Sequence, residues 1–142
     1  MKLIDVNVWL AAVWDRHVQH SVAKAFVDAE DDELAFCRVT EMAVLRLLTN
    51  PAVMGADART RRQAWDIVLE VESDPRIRFL PEPRGLAPLW IALSKRDDSS
   101  HLLWTDDYLA AFAQGLGIEL VTLDRRMHAR YPSVDVKTLL HR

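Results

Sequence analysis

Apolar residues along this chain recur at two spacings, and their alternation lays out a series of elements. Leu3-Ile4-Asp5-Val6 reads as a first strand, the apolar run continues to Trp14, and Val18, Val22, Ala25 and Phe26 follow at helical intervals. The acidic stretch 28–33 is a solvated connection, and 34–39 is a second strand. Thr40, as the cap, and Glu41 open a helix carrying Met42, Leu45 and Leu48, which Asn50-Pro51 stops. A helix over 60–72 puts Ala64, Ile67, Val68 and Val71 on one face. Residues 77–80 form a third strand, ended by Pro81 and Pro83. Leu86, Leu89, Trp90 and Leu93 mark a short helix before the polar loop 95–100. Thr105 or Asp106 starts the next helix, with Leu109, Phe112 and Ala113 inside and a stop near Gly115 or Gly117. A fourth strand covers 118–124, and 134–136 is a candidate fifth.

Strands that alternate with helices need crossover connections, so the expected class is α/β: a parallel sheet of four or five strands with helices on both faces. No linker, repeat or low-complexity tract divides the chain, which predicts one domain over 1–142. At 142 residues and half apolar, such a domain hides roughly 68–70% of its unfolded surface and needs no disulfide or metal merely to fold. Cys37 has no second cysteine to pair with and lies in an apolar run, which points to a core residue in a reducing cytoplasm. No basic leader precedes an apolar stretch, and no uncharged run approaches the ~18 residues of a membrane span, so a soluble cytoplasmic protein is expected.

Charge narrows the function only a little. A net charge of −3 excludes a strongly basic nucleic-acid binder by bulk charge and leaves local patches open. Most of the 18 basic residues are Arg, a weak pointer towards forked phosphate contacts. With four glycines in all and no glycine-rich loop after strand 1, glycine-loop nucleotide folds are excluded.

The informative residues are the acids at strand ends, because open α/β sheets bind ligands beyond the carboxyl ends of their strands. Asp5 follows Leu3-Ile4, Glu41 lies just past strand 2, Asp106 opens a helix, and Asp124 terminates strand 4. If strands 1, 2 and 4 are neighbours, about 5 Å apart, these carboxylates meet in one cleft. Converging carboxylates repel one another unless a cation neutralises them, and an all-oxygen site suits Mg²⁺ or Mn²⁺. Singly, Glu41 and Asp106 could be first-turn acids favoured by a helix dipole, and Asp124 a helix cap. Asp5 is least open to such an account, since a carboxylate in an apolar run needs a partner. One shared site explains all four together.

Four motifs carry a resemblance that runs through almost the whole chain. LIDVNVWL, VTEMAVLRLLTNPAVMG, TDDYLAAFA and LVTLDRRM resemble, in order and spacing, the acid-bearing segments of PIN-domain nucleases, and among these the VapC toxins of toxin–antitoxin pairs. The resemblance implies a three-layer α/β/α PIN-like fold and a Mg²⁺-dependent endoribonuclease, with Mn²⁺ as a substitute. It puts the catalytic and metal-holding acids at Asp5, Glu41, Asp106 and Asp124. Asn7 stands where many members have Ser or Thr, and Thr105 and Thr122 fall beside the acids as supporting hydroxyls. Asp107 stands where a small residue is usual; of the pair, Asp106 is expected to face the metal and Asp107 to be an exposed first-turn acid. Partners implied are RNA, a small cognate antitoxin and a second copy of the chain.

An acidic cleft repels an RNA backbone, so rim cations are expected, with Arg38, Lys95, Arg96, Arg125 and Arg126 as candidates that could equally be ordinary surface charge. Trp9, Trp14, Trp65, Trp90 and Trp104 read as core or subunit-contact residues rather than base-stacking platforms, unless one proves exposed beside the cleft. Three rival functions stay open: an RNA-processing nuclease that is not a toxin, a PIN-like module that binds RNA or protein without cutting, and a phosphatase of the haloacid dehalogenase type. The last usually has a second Asp two residues after the first, where this chain has Asn7.

Overall fold

Five short parallel strands run through the middle of the structure, a computed structural model that describes residues 1–140; positions 141 and 142 of the expected 1–142 domain lie outside the described residues. They are β1 (Lys2–Ile4), β2 (Leu34–Phe36), β3 (Ile77–Phe79), β4 (Glu119–Thr122) and β5 (Val136–Thr138), in the spatial order β3-β2-β1-β4-β5. Leu3 stands opposite both Ala35 and Leu120, and Ile4 opposite Val121. The chain therefore builds outward from β1 in both directions. The crevice at the carboxyl ends of β1, β2 and β4 is the switch point at which open sheets bind ligands.

Side chains alternate across each strand and divide the core in two. Ile4, Leu34, Phe36 and Val121 pack with α1 (Val6–Val13), α2 (His20–Ala29), α3 (Arg38–Leu48), α4 (Pro51–Met54) and α5 (Arg61–Glu72). Leu3, Ala35 and Leu120 pack with α6 (Leu86–Ser94), α7 (Trp104–Leu116) and α8 (Met127–Arg130). The result is the three-layer α/β/α arrangement. Trp9 lies buried and stacked on Phe36, with ring centroids 4.1 Å apart. No helix among the described residues is long and apolar enough to cross a membrane.

Several boundaries differ from the sequence expectation, and each difference is local chemistry. Strand β1 stops at Ile4 because Asp5 caps α1, its carboxylate accepting from the Val6 N–H at 2.7 Å; Val6 belongs to the helix. Cys37, not Thr40, is the cap of α3, and Thr40 is its reciprocal partner, accepting from the Cys37 N–H at 2.9 Å. Asn50-Pro51 ends α3 and also starts α4, since Asn50 accepts from the Ala52 N–H at 2.9 Å and Pro51 has no N–H to leave unpaired. Helix α2 begins at His20, later than Val18, which is exposed. Helix α7 passes through Gly115 and ends at Gly117, whose φ of 63° is the left-handed conformation that closes a helix. The fifth strand lies two residues further on than expected.

Candidate active site

The ends of β1 and β4 are laced together by one hydroxyl. Thr122, the last residue of β4, donates to Asp5 Oδ2 at 2.7 Å and accepts from Asn7 Nδ2 at 3.2 Å and from the Asp124 N–H at 3.0 Å. Asn7 Oδ1 accepts from the Leu123 N–H at 3.1 Å. This network holds Asp5, only 4% exposed, at the head of the crevice. Asn7 and Thr122 thus act on the acid itself, whereas Thr105 is half-buried and its hydroxyl bonds to no described residue.

Electrostatics link three of the acids. Burial pushes the Asp5 carboxyl up, the Thr122 hydroxyl and the Val6 N–H oppose it, and the Asp124 charge adds to the rise. Asp106 is pushed up to about 6 by burial and by the charges of Asp5, Asp124 and Asp107, against the pull of Arg130. Burial also works against ionisation of Asp124, but the backbone N–H and guanidinium of Arg126, at 2.9 and 3.2 Å, together with Arg130, hold it below the usual range.

Arg130 was not legible in the sequence. It ends α8, and its Nη1 lies 3.2 Å from Asp106 Oδ2 and 3.7 Å from Asp124 Oδ2, so one guanidinium serves two acids. No motif or periodicity marks it, six residues past Asp124 in a four-residue helix.

Asp107 corrects an expectation. It is 7% exposed, not a solvated first-turn acid, and it accepts a hydrogen bond from the hydroxyl of Tyr131, itself fully buried. Asp106 is the member of the pair that feels Asp5 and Asp124.

Glu41, beyond β2, is buried and paired with Arg38. Its other neighbour is Glu72, at the end of α5, pushed up to about 7 by its own burial and by the Glu41 carboxyl beside it, with Arg38 opposing. Arg38 also lies over the Phe79 ring, 4.5 Å from its centroid, and so is committed to this second acid pair. Lys95, Arg96, Arg125 and Arg126 are exposed.

Among the described residues, no three acidic, histidine or cysteine side chains stand close enough to hold an ion as placed. The donors nevertheless suit a hard divalent cation. They are carboxylates whose mutual repulsion raises Asp106, and a cation, Arg130, already lies between two of them.

Comparison with known proteins gives a consistent picture. The sequence model of the PIN domain matches residues 2–132. Ribonuclease VapC41 of Mycobacterium tuberculosis is 38% identical, the match covering 98% of this chain and 99% of that protein. Among solved structures, Mycobacterium tuberculosis VapC20, described as a Sarcin-Ricin loop cleaving toxin, superposes with a TM-score of 0.71 at 15% identity, over 91% of this chain and 94% of that one. VapBC2 from Rickettsia felis, bound to a DNA fragment from its promoter, superposes with a TM-score of 0.68 at 11% identity, over 96% and 97%. At these identities the structural matches speak for the fold.

Proposed function

Because the chain belongs to the PIN-domain family, we propose that it is a Mg²⁺-dependent endoribonuclease, the toxin of a VapBC-type pair, acting in the cytoplasm as a single domain that inhibits translation by cleaving cellular RNA. The observation that carries this reading is the electrostatic convergence of Asp5, Asp106 and Asp124 at the carboxyl edge of the sheet. These three, joined by Glu41 from the neighbouring strand end, are the residues that would hold Mg²⁺, or Mn²⁺ in its place. When bound, the ion supplies activation of water for in-line attack at phosphorus and charge for the leaving 3′ oxygen.

The rest is done by the chain. Thr122 and Asn7 fix Asp5 by hydrogen bonds. Arg130, released from Asp106, is placed to meet a phosphate oxygen. Lys95, Arg96, Arg125 and Arg126 offset the repulsion between an acidic crevice and the RNA backbone. The 2′ hydroxyl takes no part, so hydrolysis leaves a 5′ phosphate and a 3′ hydroxyl, and the preference for RNA comes from shape and contacts. A small antitoxin and a second copy of the chain are the proposed protein partners; the shared fold with the VapBC proteins of Rickettsia felis and Salmonella typhimurium supports the first of these.

An RNA-processing role outside a toxin pair uses the same site. A binding module without activity is disfavoured because all four acids are present, and a phosphatase because Asn7 cannot donate a proton as an Asp would. The test is incubation of purified protein with end-labelled single-stranded RNA in Mg²⁺ and in EDTA. Fragments with 5′-phosphate ends in Mg²⁺ alone are expected; cleavage unaffected by EDTA, or none in either, contradicts the reading.

A further inference from the structure

Beside the acids, between the end of α6, the loop 95–103 and the first turn of α7, lies a cavity of about 430 Å³, within the roughly 300–1,000 Å³ typical of ligand sites. Arg130 and Asp107 form part of its wall, so the cavity and the acid site share a boundary. Trp104 lines it and is 56% exposed, although it stands at the first position of a helix whose next turns are buried. Its ring is steadied by a perpendicular contact with Trp90, centroids 6.4 Å apart. An exposed indole beside a polar cavity invites a flat ligand.

The other wall residues are polar. Arg96 donates through Nε to the Leu93 carbonyl at 2.9 Å and has no carboxylate partner among the described residues, which leaves its terminal nitrogens for a ligand. Ser99, Ser100 and His101 add donors and acceptors. Asp98 is occupied with the Ser100 N–H at 2.9 Å. A single-stranded nucleic acid is gripped by this combination of an aromatic face for the base and guanidinium groups for the phosphate.

We propose that this cavity is a nucleotide subsite in which an RNA base adjoining the cleaved linkage stacks on Trp104, with Arg96 and Arg130 meeting the flanking phosphate and Ser99, Ser100 and His101 reading the base edge. The proposal rests on the ribonuclease reading and adds to it the place that selects the strand. Leu102 and Ile91 nearby are also exposed, but a subunit contact favours an apolar, charge-depleted centre, and this wall carries two guanidinium groups.

The test uses the whole protein and a random-sequence single-stranded RNA. In Mg²⁺, Trp104→Ala is expected to raise KM about tenfold with kcat little changed, as loss of one stacked base implies, while Trp104→Phe retains most of the affinity. Arg96→Ala, at an exposed position, is expected to raise KM severalfold. Independently of cleavage, titration of the same RNA in Ca²⁺ is expected to quench tryptophan fluorescence in the wild type and much less in Trp104→Phe, and an abasic strand of equal length is expected to quench neither. If the wild type binds with this quench but does not cleave, the subsite stands and the nuclease reading fails. The subsite is overturned by a quench that persists in Trp104→Phe, by an unchanged RNA affinity in Trp104→Ala, or by sedimentation in which Trp104→Ala separates subunits without weakening RNA binding.

Discussion

Asp5→Asn is expected to lower RNA cleavage by about 10³-fold or more while the fold and its stability persist. The loss should exceed the roughly 10–100-fold that follows removal of a group that only orients a metal ligand. Asn is nearly isosteric with Asp, and its carbonyl oxygen can still accept from the Val6 N–H that starts α1. The substitution removes the charge and also replaces Oδ2, which accepts from the Thr122 hydroxyl, with an amide donor. Because that charge is buried and held against its own desolvation, its removal offsets the loss of the Thr122 hydrogen bond. Thermal melts of the two proteins should therefore coincide, or the variant should melt slightly higher, while end-labelled RNA survives in the variant. A folded Asp5→Asn protein with full activity contradicts the metal-site account.

Asp106→Asn is expected to separate stability from activity even more clearly. With Asp106 raised from 3.8 to about 6, the native state keeps a proton that the unfolded chain loses between those values. The native state binds more protons there, so the stability of the metal-free protein falls as pH rises through the window from about 4 to about 6. At neutral pH the repulsion is fully expressed. Asp106→Asn removes it, for a gain of about 1–3 kcal/mol less whatever the lost pairing with Arg130 costs, or some 2–4 °C in melting temperature per kcal/mol in a chain of this size. The same substitution is expected to abolish cleavage. Excess Mg²⁺ should raise the melting temperature of the wild type by mass action and leave that of the variant nearly unmoved. Melting curves at pH 5 and pH 7.5, with and without Mg²⁺, check both halves; a variant less stable than the wild type at pH 7.5 contradicts the first, and an equal Mg²⁺ response the second.

The layout of the site was legible because a carboxylate in an apolar run has to be compensated. Asp5, Glu41 and Asp124 each stand just past a short strand, and β1 lies between β2 and β4, an adjacency that the sequence alone leaves conditional. Finer assignments depend on contacts between segments far apart in the chain. Residues 107–113 of α7 are buried all round, so no amphipathic phase tells Asp106 from Asp107; Tyr131, 24 positions beyond Asp107, decides it. The orientation of Glu41 depends on Glu72 in another helix. Arg130 becomes a partner of two acids only once α8 folds back across them. Trp104 reads as an ordinary apolar residue until its exposure beside the cavity is seen.

On the proposed function, Asp5, Asp106 and Asp124 bound a divalent-ion centre whose charge Arg130 balances when no ion is bound. Anomalous diffraction from crystals soaked in Mn²⁺ tests it directly. A peak bounded by these three carboxylates is expected, with the Arg130 guanidinium displaced from Asp106; no peak at saturating Mn²⁺, with Arg130 still on both acids, overturns the metal site.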